Sequence, residues 1–277
     1  MALTETDLTE LAHRLVGVPG VVAVVLGGSR ARGTHTEESD YDLGLYYRGP
    51  LDTARLGELA AEVAGPGSGV TATGEWGPWV DGGGWLRIDG NAVDWLYRDV
   101  ERVRRCWSEA EQGTYQFHVQ GGHPLGVPDF SYPGELALAR ILADPTGDLA
   151  DLQSRVRIFP RPLAEALVAG LWEADFLVGI ARKAVSRGDS AYVAGCLFRA
   201  VGVLTHALHG AAGRWLINEK GAVAAASVLP GAPSGFRARV DTVFATIEPD
   251  PLRLAEAIDL TADIVLETVD ACAMMLR

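Results

Sequence analysis

The chain has 277 residues, 48% of them hydrophobic, and its 24 basic and 36 acidic residues give a net charge of −12. This length favours two modest domains with real cores, while the negative balance disfavours a long nucleic acid as ligand. No apolar run reaches the roughly 18 residues of a membrane span and the acidic N-terminus does not resemble a secretion signal, so we expect a soluble, cytoplasmic protein without a membrane partner.

The first third of the sequence predicts a small mixed sheet. Apolar residues at helical spacing indicate a helix over 4–17, and the β-branched run VVAVVL (21–26) indicates a buried strand. DYDLGLYY (40–47) alternates like a second strand, and a helical segment follows near 51–64. GWLRI and AVDWLYRDV then flank Asp89-Gly90-Asn91, which predicts a hairpin.

The second half has a different residue pattern, which predicts helices instead of strands. The glycine-rich segment 64–84 reads as a mobile loop, and from about Pro133 strand signals give way to Ala/Leu-rich helical stretches. The predicted helices cover 134–143, 147–157, 161–187, 190–212, 234–247 and 251–275. The fold class is therefore α+β: a small mixed-sheet domain over residues 1–130 and an α-helical bundle over residues 131–277.

Two carboxylates stand on one face of the second predicted strand. Because strand side chains repeat every two residues, Asp40 and Asp42 project to the same side and repel each other. Divalent cations such as Mg²⁺ relieve that repulsion, and a two-metal phosphoryl-transfer site usually takes a third carboxylate from a neighbouring strand. Asp94, between Val93 and Trp95 in an otherwise apolar strand, fits that role.

The turn before these carboxylates fits a phosphate. The strand ending in Leu26 runs into Gly27-Gly28-Ser29, where glycine allows close approach and backbone N–H groups and a hydroxyl can face an anion. Arg30 and Arg32 follow the turn and could reach a triphosphate, although Glu37 and Glu38 could equally pair with them.

Together these residues resemble a known family. LGGSRARGTHTEESDYDLGL (26–45) is similar to the motif of the DNA polymerase beta nucleotidyltransferase superfamily, with Gly28 and Ser29 at the Gly-Ser positions and Asp40 and Asp42 at the metal-ligand positions. The mixed sheet followed by a helical bundle resembles the antibiotic nucleotidyltransferase branch, which modifies aminoglycosides or lincosamides. The resemblance implies a third metal carboxylate, which we assign to Asp94.

The resemblance also implies the reaction. A nucleoside monophosphate, most simply AMP from ATP or another nucleoside triphosphate, would pass to a hydroxyl of a small acceptor with two Mg²⁺ ions bound and pyrophosphate leaving. Lysines of the helical domain contact the nucleotide in that branch, and LINEKGA offers Lys220 as a candidate. Asp94 or Glu135 is the candidate general base.

Several residues have an ordinary structural interpretation beside a functional one. His118 and His123, with Asp129, could touch substrate, and Trp76, Trp79 and Trp85 could stack on a base or sugar.

His206 and His209 stand at helical spacing, but no third metal ligand accompanies them. We expect the three widely spaced cysteines, Cys106, Cys196 and Cys272, to be thiols without a disulfide.

Two rival functions remain at this point. An antitoxin-type nucleotidyltransferase that modifies or masks a protein partner would have a small single-domain chain, against which the long helical half argues. A non-catalytic nucleotide-binding relative would have no reason to keep the clustered aspartates. A homodimer is compatible with either function.

Overall fold

A computed structural model describes residues 2–277 and divides the chain into two compact units. The sheet unit comprises the residues up to Ser108 together with His118–Ile158. The helical unit comprises Glu109–Phe117 and Phe159–Arg277. These units divide the chain differently from the predicted boundary at residues 130 and 131, because the chain to Ile158 packs with the sheet.

Five strands form the main sheet of the sheet unit. They are β1 (Val21–Leu26), β2 (Tyr41–Tyr47), β3 (Gly83–Ile88), β4 (Asn91–Asp99) and β7 (Arg140–Ala143). Their order is β3-β4-β2-β1-β7, and only β2 and β4 pair in parallel among these neighbours. Two further strands, β5 (Phe117–Gln120) and β6 (His123–Pro128), form a separate hairpin.

Helices α1 (Glu5–Val16) and α3 (Thr53–Ala64) cover one face of the main sheet. The sheet unit also contains α2 (Gly28–Ala31), α4 (Val100–Glu111, which runs into the helical unit), α5 (Ser131–Leu138) and α6 (Asp148–Val156). Apolar residues of α1 and α3 pack with Leu43, Leu45 and Trp95 in a single core, all three of them fully buried. Because strand side chains alternate, Asp42 and Asp94 lie on the opposite face.

The predicted hairpin is present with the predicted turn. Ile88 of β3 pairs with Asn91 of β4, so Asp89 and Gly90 form a two-residue loop. Their φ angles of 49° and 82° are both positive, as a type I′ turn requires. Strand β3 is thus the edge strand, and β4, which carries Asp94, lies inside the sheet between β3 and β2.

The stretch 134–143, predicted as one helix, is split in the structure. Helix α5 ends at Leu138, and Arg140–Ala143 then forms edge strand β7, with Ile141 opposite Val25. The sequence prediction was wrong here because a four-residue strand carries almost no periodicity, and an open edge of the sheet overrides local helix propensity. The hairpin of β5 and β6 was missed for the same reason.

The helical unit is built around one long helix. Its helices are α7 (Arg161–Ala169), α8 (Trp172–Ala181), α9 (Ser190–Ala211), α10 (Ala222–Ala226), α11 (Phe236–Thr246) and α12 (Pro251–Met275), with a 3₁₀ helix at Arg182–Arg187. The predicted single helix over 161–187 is therefore interrupted at Gly170 and again after Ala181. Asp189 and Asp250 cap α9 and α12 through their side chains.

Helix α9 supplies most of the core of the helical unit. It is long and apolar enough to cross a membrane by length and composition, and 61% of its most apolar window is buried within the protein. Leu197, Leu204 and Leu208 are fully buried among the neighbouring helices. The three cysteines are buried thiols that form no disulfide, as predicted.

Two glycine substitutions test the packing of the sheet unit, because they should change the free energy of unfolding in opposite directions. A Cβ on Gly83 would lie 1.8 Å from the carbonyl oxygen of Trp95, so Gly83→Ala forces strands β3 and β4 apart. We expect it to lower the free energy of unfolding by roughly 3 kcal/mol or more.

Gly57 lies inside α3, and a Cβ added to it would meet nothing within 4 Å. Gly57→Ala should therefore raise the free energy of unfolding by about 0.5–1 kcal/mol. Urea unfolding followed by circular dichroism measures both, and equal effects would contradict the packing.

Candidate active site

Two aspartates lie side by side on the face of the sheet opposite α1 and α3. Asp42 of β2 and Asp94 of β4 are direct partners in the parallel register. Paired residues on adjacent strands project to the same face, and the strands lie about 4.8 Å apart. The candidate site therefore begins with two neighbouring carboxylates, Asp42 and Asp94.

Asp40 stands outside the strand. Strand β2 begins at Tyr41, and Asp40 is exposed just before it. Among residues 2–277, no three Asp, Glu, His or Cys side chains are placed to hold one metal ion together. Asp40 therefore adds its charge to the Asp42 and Asp94 pair without closing a three-carboxylate cluster.

Burial and like charge both affect the pKa values of these carboxyls. Burial first, and then the charges of Asp42 and Asp40, together raise the pKa of Asp94 to about 6. The pKa of Asp42 is raised by burial first, then by the charges of Asp40 and Glu135, while Arg32 and Arg98 oppose that shift. Asp94 can therefore take up or give up a proton near neutral pH.

The glycine turn closes directly onto Asp42. The N–H of Gly27 donates to the carbonyl of Asp42 at 2.7 Å, which fixes the turn to strand β2. Gly28 has a φ of 61°, and a Cβ on it would lie 1.8 Å from Oδ2 of Asp42. Only glycine leaves room there for the carboxylate.

The other predicted residues of this turn have different environments. Ser29 is half-buried, and its carbonyl accepts from the N–H of Thr34 at 3.0 Å. Arg30 donates from Nε and Nη2 to the carbonyl of Ser39 at 3.0 and 2.7 Å, and its guanidinium lies 3.7 Å from the centre of the Tyr41 ring. Arg30 thus braces the loop before Asp40, whereas Arg32 is exposed and lowers the pKa of Asp42.

An ion pair that the sequence analysis missed lies on the same face. Arg98, four residues after Asp94 in β4, donates from Nε and Nη2 to the two carboxylate oxygens of Glu135 at 2.5 and 2.9 Å. Arg98 is buried and its pKa is raised by the charge of Glu135, against the opposing effect of burial. The alternation of β4 could have revealed Arg98, but nothing local identified Glu135 as its partner.

This pairing bears on the choice of a base. Glu135, one of the two predicted general-base candidates, is held by both oxygens in a bidentate ion pair, which is among the stronger kinds of side-chain contact. Asp94 is half-buried on the open face beside Asp42. The surroundings of the two carboxylates therefore favour Asp94 over Glu135 as the proton acceptor.

The remaining candidates fall into separate groups. His118 stacks on Trp79 with ring centres 3.6 Å apart and lies 3.5 Å from the carboxylate of Asp129. His123 lies on β6. Lys220 is exposed in the helical unit, where its N–H donates to the side chain of Asn218.

His206 and His209 are buried in helix α9. Burial lowers the pKa of His206 to about 3, and burial also lowers the pKa of His209. His209 donates from Nδ1 to the carbonyl of Thr205 at 2.8 Å. Both rings are therefore neutral at physiological pH and belong to the packing of the helical unit.

Comparison with known proteins gives a family for the part of the chain that holds the turn and the first two aspartates. Residues 8–66 match the model of the nucleotidyltransferase domain family, a segment that includes Gly28, Ser29, Asp40 and Asp42. No curated protein matches the chain. A solved structure, a nucleotidyltransferase-like protein from Exiguobacterium sibiricum 255-15, is 13% identical, with 98% of this chain and 78% of that chain covered and a TM-score of 0.41.

The family match and the site point to one class of protein. Residues 8–66, the segment that matches, are similar to a nucleotidyltransferase domain, and a domain of this kind implies a transferase. The predicted α+β fold class, with a small mixed sheet followed by a helical region, is confirmed.

The raised pKa of Asp94 leads to a stability prediction for the protein in EDTA. A carboxyl whose pKa is raised on folding binds more protons when folded, so the protein loses stability as pH rises from about 4 through 6. Asp94→Asn should remove that loss and raise the free energy of unfolding at pH 7.5 by about 1 kcal/mol, after discounting for solvent screening. Urea unfolding between pH 4 and 8 measures it, with exposed Asp270→Asn of the helical unit as control. A variant with the wild-type pH slope would contradict the prediction.

Proposed function

We propose that this transferase moves a nucleoside monophosphate, AMP from ATP in the first instance, to a hydroxyl of a small molecule of the aminoglycoside or lincosamide kind. The observation that carries the proposal is the placement of Gly28 against the Asp42 carboxylate, with Asp94 paired beside it. A turn with room for a phosphate thus adjoins two carboxylates that repel each other unless a cation is bound.

The donor set fits Mg²⁺. Asp40, Asp42 and Asp94 offer only carboxylate oxygens, which are the ligands this ion prefers, together with substrate phosphate oxygens. The first of them is exposed just before β2, and its charge acts on both of the others. We assign two Mg²⁺ ions to these residues; bound ions would supply positive charge against the developing charge of the phosphoryl oxygens.

Each residue of the site then has a role in the proposed step. The backbone of Gly28 and Ser29, with exposed Arg32, would hold the triphosphate, while Arg30 keeps the loop before Asp40 in place. Lys220 stays a candidate for a phosphate contact. The acceptor oxygen attacks the α-phosphorus and forms a new P–O bond, and the bond to pyrophosphate breaks.

The proton of the acceptor hydroxyl goes to a carboxylate, and Asp94 is the candidate. Asp94 is half-buried beside Asp42, whereas both oxygens of Glu135 are held by Arg98.

The cytoplasmic location and a homodimer remain predictions from the sequence alone.

Nucleotide titration tests this function. Calorimetric titration of ATP, GTP, CTP and UTP into the protein with Mg²⁺ should give metal-dependent binding of at least one nucleotide. Asp42→Asn should abolish the metal dependence and lower the rate of pyrophosphate release by about 100-fold or more, since it removes charge at the reacting centre. Binding that is equal in EDTA and Mg²⁺, or a fully active Asp42→Asn variant, would overturn the proposal. A response only to an added protein would favour the antitoxin-type alternative.

The glycine turn provides a matched pair of variants. Gly28 and Gly33 both have positive φ angles, 61° and 68°, so an alanine at either position carries similar backbone strain. Only at Gly28 does the new Cβ meet the Asp42 carboxylate, because Gly33 has open space around it. Gly28→Ala should weaken Mg²⁺-dependent nucleotide binding by at least about tenfold relative to Gly33→Ala, by displacing Asp42. Equal binding by the two variants, measured by the same calorimetry, would contradict a role for this contact.

A further inference from the structure

An exposed tryptophan stands beside the aspartate pair. Trp85 of strand β3 is the direct partner of Asp94 in the antiparallel register, so both side chains project to the same face. Trp85 is 72% exposed, although a tryptophan buries more apolar area than most residues when it packs in a core. An exposed ring of this size next to a polar site indicates a ligand surface rather than a packing role.

A second tryptophan makes this surface rigid. The rings of Trp76 and Trp85 are stacked with centres 4.3 Å apart and planes 18° from parallel. Gln120 holds the segment that carries Trp76, since it donates from Nε2 to the Trp76 carbonyl at 2.6 Å and accepts from the N–H of Trp79 at 3.0 Å. The ring pair is therefore a preformed platform rather than two loose side chains.

The platform and Asp94 line one pocket. The pocket has a volume of about 650 Å³, within the usual range for small-molecule sites, and its other walls come from 67–71 and from Arg87 of β3. Arg87 donates to the carbonyl of Gly90 at 2.9 Å, which ties its guanidinium to the hairpin. All of these residues belong to the sheet unit.

The strand order decides which substrate faces the platform. Along the open face the order is the turn at Gly28, then Asp42 on β2, Asp94 on β4 and Trp85 on β3. The platform therefore lies on the opposite side of the carboxylates from the turn that would hold the triphosphate. In-line transfer brings the attacking hydroxyl from the side opposite the leaving pyrophosphate.

We propose that Trp76 and Trp85 form the acceptor site, on which the acceptor stacks an apolar ring face while its hydroxyl meets Asp94. This inference rests on the proposed function. The ligand chemistry is a hydroxylated ring, either a sugar or cyclitol ring or an aromatic alcohol, because a flat aromatic platform offers stacking and a neighbouring carboxylate accepts the hydroxyl hydrogen bond. Trp85 is thus a specificity-determining residue for the acceptor.

Ligand-detected NMR tests the platform without any turnover. Saturation transfer from the protein to myo-inositol, methyl α-D-glucopyranoside, kanamycin A and tyrosol, each at millimolar concentration, should appear for at least one compound. The signal should be lost in Trp85→Ala and kept in Trp172→Ala, whose tryptophan is 69% exposed in the helical unit. It should also persist in Asp42→Asn, which separates acceptor binding from catalysis. The sugars and tyrosol distinguish the two ring classes.

Kinetics provide the second readout. For a bound compound that is also an acceptor, Trp85→Ala should raise its KM by about tenfold or more and leave the KM for ATP unchanged, whereas Trp85→Phe should restore most of the affinity. Urea unfolding should show that Trp85→Ala is folded.

Each outcome bears on one proposal. Saturation transfer that does not depend on Trp85 for any of the four compounds overturns the platform. Loss of ATP binding in Trp85→Ala also overturns it, because the platform would then belong to the nucleotide. Trp85-dependent binding without pyrophosphate release from any nucleotide supports the platform and overturns the proposed function instead.

Discussion

The candidate site depends on one unfavourable arrangement, the side-by-side placement of Asp42 and Asp94. Parallel pairing of β2 and β4 puts these residues in register. Burial raises the pKa of both carboxyls, the charge of Asp40 adds to both shifts, and the charge of Asp42 adds to the shift of Asp94. The opposite face of the same two strands buries Leu43, Leu45 and Trp95 completely. Hydrophobic burial on that face holds the strands together, so the repulsion on the open face is kept rather than relieved by rearrangement.

The surrounding charges limit that repulsion. Glu135 raises the pKa of Asp42, but its partner Arg98 lowers it, so the buried ion pair adds little net charge to the face. Arg32 is the exposed cation that also favours ionised Asp42. If a bound phosphate drew Arg32 away from Asp42, another cation near Asp42 would be needed to offset the charge of its carboxylate. Nucleotide and metal should therefore bind cooperatively at this site.

Some of this arrangement follows from the sequence and some does not. The alternation in 40–47 puts Asp42 on a polar face, and an aspartate between Val93 and Trp95 is costly enough to indicate a second polar position. The Asp89-Gly90 turn was identifiable because few sequences tolerate two positive φ angles. The register that brings Asp42 opposite Asp94 was not identifiable from the sequence, because periodicity within a strand gives no information about the strand it pairs with. The pair of Arg98 and Glu135, 37 positions apart, and the short strand β7 depend likewise on contacts distant in the chain.

Strand β3 is an edge strand of the main sheet, and the segment that precedes it covers that edge. An edge strand exposes unpaired backbone groups, and here Thr71 covers it: its N–H donates to the Gly83 carbonyl at 2.8 Å and its hydroxyl accepts from the Gly83 N–H at 2.9 Å. This contact needs glycines at 83 and 84, because side chains there would meet Trp95 and the 69–70 segment. The same segment continues to Trp76. The contacts that protect the edge therefore also carry the second ring to Trp85, which explains why a glycine-rich stretch without regular structure lies next to the carboxylates.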